Sequence, residues 1–195
     1  MKRRTIALAL SALITATVLA GCSTPGNGGM EGMDHDTPSP SADADFNAAD
    51  ETFAMEMIGH HQQAIEMADL LLAKSGVESE VLELAETIKA AQQPEIDLMN
   101  DWLESWGVEM GDMGGMDHGG GMMSDEDMAA LTAANGAEAS VLFLDQMVEH
   151  HEGAIEMAEG ELEQGQNAEA LALAQKIIED QTAEIEFMQT LRASL

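Results

Sequence analysis

Two segments of the chain carry nearly the same sequence, ninety positions apart. Residues 57–68 read MIGHHQQAIEMA and residues 147–158 read MVEHHEGAIEMA, so eight of the twelve positions are identical. A second pair of segments, 92–99 and 181–188, repeats a Gln, a Glu and a Met at the same spacing. Such a duplication predicts two copies of one structural unit, and it restricts the fold to a pseudo-symmetric arrangement of two halves.

The spacing of apolar residues within each half is typical of helices. Apolar side chains recur every three or four residues, and no segment alternates as a half-buried strand does. Glycines interrupt this pattern and predict four main helices, at about 50–74, 78–106, 137–164 and 167–193. A short helix is predicted to begin at Ser124, because three acidic residues follow it and suit a first helical turn. Short connections join the first two and the last two main helices, which predicts an all-α, antiparallel four-helix bundle built from two related hairpins.

The N-terminal residues have the pattern of an export signal. Three basic residues at 2–4 precede an apolar run at 6–20, and the sequence Leu-Ala-Gly-Cys ends at Cys22. This pattern predicts a signal peptide over residues 1–21 and resembles a bacterial lipobox, in which Cys22 would be lipidated. An ordinary signal peptide or an uncleaved anchor is the alternative interpretation. Cys22 is the only cysteine, so an internal disulfide framework is excluded.

Composition divides the remainder of the chain. Residues 22–47 are rich in Pro, Ser, Gly, Asn and Asp, which predicts a disordered tether. Residues 48–195 form the predicted bundle, and a Gly- and Met-rich connection at 107–124 joins its two hairpins. The Gly content of this connection is incompatible with a packed helix.

The charge of the chain is strongly negative. The formal net charge is −30, and after residues 1–21 only four basic residues face 37 acidic ones. Nucleic acid is therefore excluded as a partner, because its phosphates would be repelled. Membrane contact is expected only through lipid at Cys22. The acidic surface keeps the protein soluble and attracts cations.

Each main helix carries polar side chains on its apolar face. Burying a polar group without a partner costs roughly 1–3 kcal/mol, so the repeated set calls for an explanation. One interpretation is a hydrogen-bond network that fixes helix register; the other is metal coordination. The candidate metal ligands are His60, His61, His150, His151, Met57, Met67, Met147 and Met157. The candidate residues around them are Gln92, Glu95, Met99, Gln181, Glu184 and Met188.

The helical spacing also predicts which ligands face inward. His61 and His151 lie closest to the centre of their apolar stripes, so we expect them to be the inward ligands. The edges of the two stripes hold the residues that complete or guard the site, which are His60, Met67, His150 and Met157.

The chemistry of the donors suggests the metal. Imidazole and thioether groups without thiolate suit copper, especially Cu(I), or silver. The Glu-x-x-His sequence of ferritin-like di-iron sites is absent at all four histidines, which argues against that enzyme class. A weaker flexible metal loop is predicted from Met110, Met113, Met116, His118, Met122 and Met123. A low-complexity linker with incidental methionine is the alternative for this segment.

The doubled motif resembles a known family. His-His-x-x-Ala-Ile-x-Met-Ala occurs at 60–68 and 150–158, and Gln-x-x-Glu-Ile-x-x-Met occurs at 92–99 and 181–188. Both are similar to motifs of the exported family called domain of unknown function 305, and the resemblance covers about 50–195. The resemblance implies a ferritin-like four-helix bundle of two related hairpins. It also implies a link to copper, because some members are associated with copper binding and tolerance in the cell envelope.

These observations together predict a lipid-anchored, extracytoplasmic copper-binding protein that buffers, scavenges or hands on the ion. No nucleophile–base arrangement stands out, so an enzyme is less favoured. A metal-dependent redox enzyme of the ferritin-like type remains one alternative. A non-metal interaction module, whose acidic surface binds a cationic partner, is the other.

Overall fold

The computed structural model describes residues 45–108 and 120–195, which form five α-helices and no strand. The helices are α1 (Ala48–Leu72), α2 (Ser79–Trp106), α3 (Asp125–Ala133), α4 (Gly136–Gln164) and α5 (Ala168–Ser194). The four long helices agree with the predicted ones to within two residues. The short helix is also confirmed, with Ser124 as its N-cap.

Local capping explains where the helices begin and end. Asn47, Ser124 and Asn135 each accept a hydrogen bond from the backbone of the first turn, and an acidic residue three positions later completes a capping box. Gly107 ends α2 in the left-handed conformation with φ of 72°, which favours glycine over other residues. The turn chemistry thus sets the helix ends that position the duplicated motifs.

The helices pack as two hairpins. α1 packs along α2, α4 packs along α5, and contact between α1 and α4 joins the hairpins, while α3 lies across α1 and α4. This arrangement confirms the predicted four-helix bundle. Within residues 45–108 and 120–195, none of the helices combines the length and the apolar character that a membrane span requires.

The core consists of two apolar clusters on either side of a polar layer. One cluster holds residues of the α1 C-terminal half and the α4 N-terminal half, such as Leu71 and Phe143. The other holds residues from the opposite ends of the same helices, such as Phe53 and Ala158. Six buried residues lie between the clusters along the four long helices, and we name them the polar layer: His60, His61, Gln92, His150, His151 and Gln181.

The predicted tether is too long at its C-terminal end. The ring of Phe46 stacks on Trp106 with centroids 4.7 Å apart, and Asn47 caps α1. These two residues therefore belong to the packed helical region, because an aromatic ring and a cap both find partners there. Residues 1–44, with the predicted signal peptide, Cys22 and most of the tether, lie outside the described residues.

Two buried carboxyl groups meet at one end of the bundle. Asp50 is fully buried and accepts hydrogen bonds from the backbone amides of Gln166 and Asn167, at 2.9 and 2.8 Å, and from that of Asn47. Glu161 is 2% exposed, and no donor reaches its carboxylate oxygens. When Glu161 is protonated, it donates a hydrogen bond to the Asp50 side chain. Burial, with the hydrogen bond and charge of Asp50, raises the pKa of Glu161 to about 8.

Replacing Glu161 with glutamine is expected to flatten the pH dependence of stability. The folded state holds a proton on Glu161 up to about pH 8, whereas the unfolded chain loses it near the ordinary value of 4.5. The stability that protonated Glu161 contributes is therefore fully present below pH 4.5 and is lost as the pH rises towards about 8. The loss amounts to about 1.4 kcal/mol for each unit by which the pKa of the folded state exceeds that of the unfolded chain. Urea unfolding at several pH values between these limits measures the effect. An equal slope in Glu161→Gln would contradict the assignment.

Candidate metal centre

The α1–α4 contact brings two histidines of the duplicated motif face to face. His60 and His150 are 2% and 0% exposed, and their ring centroids are 3.7 Å apart with an interplanar angle of 38°. No hydrogen bond of normal geometry reaches Nδ1 or Nε2 of either ring among the described residues, and only the backbone of His60 lies close enough to the His150 ring to affect its pKa. Buried polar atoms are rarely left without partners, so this pair is unusual for a purely structural core.

The adjacent histidines are oriented by carboxylates of the second motif. The Nε2 of His61 lies 2.9 Å from Oε2 of Glu95, and the Nε2 of His151 lies 2.6 Å from Oε2 of Glu184. A proton on Nε2 donates to the carboxylate, which leaves the lone pair on Nδ1. Both Nδ1 atoms are buried without a partner. A carboxylate that fixes the tautomer and orientation of an imidazole is a common arrangement behind histidines that bind metals.

Three of the residues that the helical spacing places at the edges of the stripes are buried, namely His60, His150 and Met67. Each of α1 and α4 packs against two neighbours and buries a face wider than one stripe. His60 and His150 thus face each other between the hairpins, whereas His61 and His151 turn towards α2 and α5. Among the predicted edge residues, Met157 is half-buried.

Burial keeps three imidazoles of the layer neutral, those of His60, His61 and His150. It lowers the pKa of His60 to about 3, and the nearby His61 and His151 lower it further. Burial also places the pKa of His150 well below the ordinary value, with contributions from the other three histidines. Burial also lowers the pKa of His61, because it outweighs the hydrogen bond that His61 donates to Glu95, which raises it. Neutral rings present lone pairs, which is the form in which histidine binds metals.

Methionines extend the set of soft donors around the layer. The fully buried methionines of the two motifs are Met57, Met67, Met99, Met147 and Met188. Met57 and Met147 lie one helical turn before the two histidine pairs, which is the spacing of side chains on one helix face. In the part of the chain that the structure describes, no three His, Cys, Asp or Glu side chains are grouped so as to hold one ion.

The end of the Met-rich connection is attached to α1 and lies against α4. The Gln63 side chain exchanges hydrogen bonds with the backbone of Met123, at 2.9 and 2.7 Å, and Met123 is buried in the core. Gly153 occupies the position equivalent to Gln63 and lies against Gly120, where a Cβ atom would meet the Gly120 carbonyl oxygen. Sequence reasoning missed this contact, although the difference between the two repeats at this position was a signal for it.

Only one of the remaining donors of the predicted flexible metal loop lies within the described residues. Met122 is half-buried beside Met123. The other four predicted loop donors, Met110, Met113, Met116 and His118, lie outside the described residues.

Comparison with known proteins agrees with this architecture. A DUF305 protein from Streptomyces coelicolor that is described as secreted is 33% identical, with a TM-score of 0.70, and the match covers 75% of this chain and 93% of that chain. A DUF305 fragment from Deinococcus radiodurans is 29% identical with a TM-score of 0.70, covering 76% and 98%. CopM in its Cu(I)-bound form is 30% identical with a TM-score of 0.62, covering 74% and 96%. CopM is also solved in Cu(II)-bound and Ag-bound forms.

The sequence profile of one family matches most of the helical region. No curated protein sequence matches the chain. The profile of the domain of unknown function DUF305 matches residues 50–192, which include both copies of each motif. The chain therefore belongs to the DUF305 family.

Proposed function

We propose that this protein binds copper outside the cytoplasm, as Cu(I), and that the histidines of the polar layer hold the ion. The observation that carries the proposal is the set of six imidazole nitrogens, on His60, His61, His150 and His151, that are buried without partners. Each costs free energy in the metal-free fold, and a metal ion would supply the missing partner for the lone-pair nitrogen of each ring.

The donor types favour a soft ion. Neutral imidazole and thioether groups bind Cu(I) and Ag(I), whereas oxygen-rich sites select harder ions. His60 and His150 would be direct ligands, because both nitrogens of each ring lack partners. The buried thioethers of Met57 and Met147 would complete this set. Glu95 and Glu184 fix the orientation of His61 and His151. Those two rings would reach the same ion through Nδ1 only if they moved, because among the described residues no three histidines are grouped around one point. The similarity to CopM, solved with copper and silver, supports this choice of metal.

We also propose that the protein buffers, scavenges or hands on copper rather than catalysing a reaction on it. His60 and His150 are deeply buried, so an ion that they hold would be shielded from water. The strongly acidic chain raises the local concentration of cations near the protein.

Metal titration tests the proposal. Purified protein is titrated anaerobically with Cu(I) against a chromophoric chelator, and X-ray absorption identifies the ligand atoms. We expect one tight site with imidazole nitrogen and thioether sulfur around the ion. Binding to the folded state should also raise the thermal midpoint as the metal concentration increases. Cu(I) that binds no more tightly than it does to a peptide of the Met-rich segment alone would refute the proposal.

Anchoring through Cys22 is a separate prediction. A lipid on this residue would attach the protein to the membrane, since the acidic chain has no attraction for anionic headgroups. Fractionation should place the wild type with membranes, and Cys22→Ser should release it or block its processing. Equal membrane association of the two proteins would contradict lipidation.

A further inference from the structure

A cleft runs between α2 and α5 on the side of the bundle that carries the second motif. An inner cavity of about 230 Å³ is lined by Gln92, Glu95, Gln181 and Glu184. An adjoining cavity of about 390 Å³ is lined by Glu80, Glu83, Thr87 and Glu184, so Glu184 belongs to both. Because Glu95 and Glu184 also contact His61 and His151, the cleft connects the surface with the polar layer.

The inner cavity contains buried polar atoms that lack partners. Gln92 and Gln181 are 3% and 4% exposed. Neither polar atom of the Gln92 amide has a hydrogen-bond partner, and the same holds for Oε1 of Gln181. An amide oxygen next to carboxylates and without a donor favours a passing cation, because it replaces part of the hydration that the ion loses on leaving water.

The two halves of the cleft differ in charge. The Oε1 of Glu95 lies 2.9 Å from Nζ of Lys176, which also reaches Asp180. The duplication places Thr87 at the position equivalent to Lys176, and Thr87 lines the cavity beside Glu184. Of the lysines and arginines that the structure describes, none pairs with Glu184. An ammonium group therefore covers one half of the pseudo-symmetric cleft and not the other.

We propose that metal ions reach the polar layer through this cleft on its Glu184 side, and that Lys176 closes the Glu95 side. The inference rests on the proposed function, since it supplies the route to the same histidines. Carboxylate and amide oxygens along the open half attract the ion and replace some of its water. On the closed half, the ammonium of Lys176, paired with Glu95 and Asp180, occupies the place of a cation and repels a second one.

Exchanging the residues at the two equivalent positions tests the route. Uptake of Ag(I), which does not change oxidation state, is followed by stopped-flow fluorescence of the two tryptophans, with equilibrium affinity measured by competition. Thr87→Lys should slow association by about tenfold or more, because it introduces an ammonium group on the open side. Lys176→Thr should accelerate association severalfold. Affinity should change less than the association rate, because a blocked route slows release as well.

Matched control variants distinguish an effect of the cleft on the association rate from an effect of the net charge of the protein. Thr190→Lys makes the same substitution at another exposed threonine that, like Thr87, bonds the carbonyl four residues before it. Lys89→Thr removes a lysine that pairs with Asp69 outside the cleft. If the association rate fell equally in Thr87→Lys and Thr190→Lys, the proposed route would be refuted, whereas the proposed histidine site would be unaffected. A wild type that binds no Ag(I) would overturn both proposals.

Discussion

Replacing His60 and His150 together with leucine is expected to abolish tight copper binding while leaving the metal-free protein at least as stable as the wild type. Copper binding is lost because both rings that face each other between the hairpins disappear. Even one ligand interaction worth about 1.4 kcal/mol corresponds to a tenfold change in affinity, so we expect a loss of at least a hundredfold for two ligands. Competition titration with Cu(I) measures it.

The stability of the same variant distinguishes a ligand from a structural residue. Four ring nitrogens without partners leave the core of the metal-free protein, and leucine fills nearly the same volume. Gln146→Leu is the matched control, because the Gln146 side chain donates a hydrogen bond of 3.0 Å to the Asp127 carbonyl and leaves only its Oε1 without a partner. Its thermal midpoint should fall without a change in copper affinity. A metal-free double histidine variant that unfolds more easily than the wild type would show that the histidines are structural.

Replacing Asp50 with alanine is expected to destabilise the fold by about 3–5 kcal/mol, because three backbone amides lose a charged acceptor at once. These bonds join the start of α1 to the turn between α4 and α5, and the substitution also removes the partner of Glu161. In a domain of this size the loss corresponds to a fall of roughly 10 °C in the thermal midpoint.

The duplication supplies a control for this second prediction. Ser140 is the counterpart of Asp50 in the other half, and its hydroxyl accepts one amide hydrogen bond, from Glu78 at 3.1 Å. Ser140→Ala should therefore cost only about 1 kcal/mol. Urea unfolding of both variants compares the two ends of the bundle. Equal effects of the two substitutions would contradict the role assigned to Asp50.

The helices and the composition of the site were predictable, because both depend on local sequence. Glycines and caps set the helix ends, and the three- and four-residue spacing places the histidines on an apolar face. The partner of each histidine was not predictable, because the periodicity of one helix does not show how many neighbours it has. His60 and His61 differ by a rotation of about 100° on α1, and only the packing of α1 against both α2 and α4 separates their roles.

The Asp50–Glu161 pair illustrates what local patterns omit. Asp50 reads as an ordinary acidic residue in a first helical turn, and Glu161 reads as one of many surface acids. Their contact joins positions more than a hundred residues apart. Comparison of the two halves was the available signal, because the positions equivalent to Asp50 and Glu161 hold Ser140 and Leu71. The same comparison distinguishes Lys176 from Thr87.

The placement of His60 and His150 on different hairpins has a consequence for folding kinetics. Each hairpin forms from contacts between neighbouring helices, which is a fast process, whereas the α1–α4 contact requires the two hairpins to dock. The pair of facing rings exists only after docking, so an ion held there adds a bridge that neither hairpin has alone. Bound copper should therefore slow the separation of the hairpins more than it slows local fraying. Hydrogen exchange should show this as protection concentrated along α1 and α4.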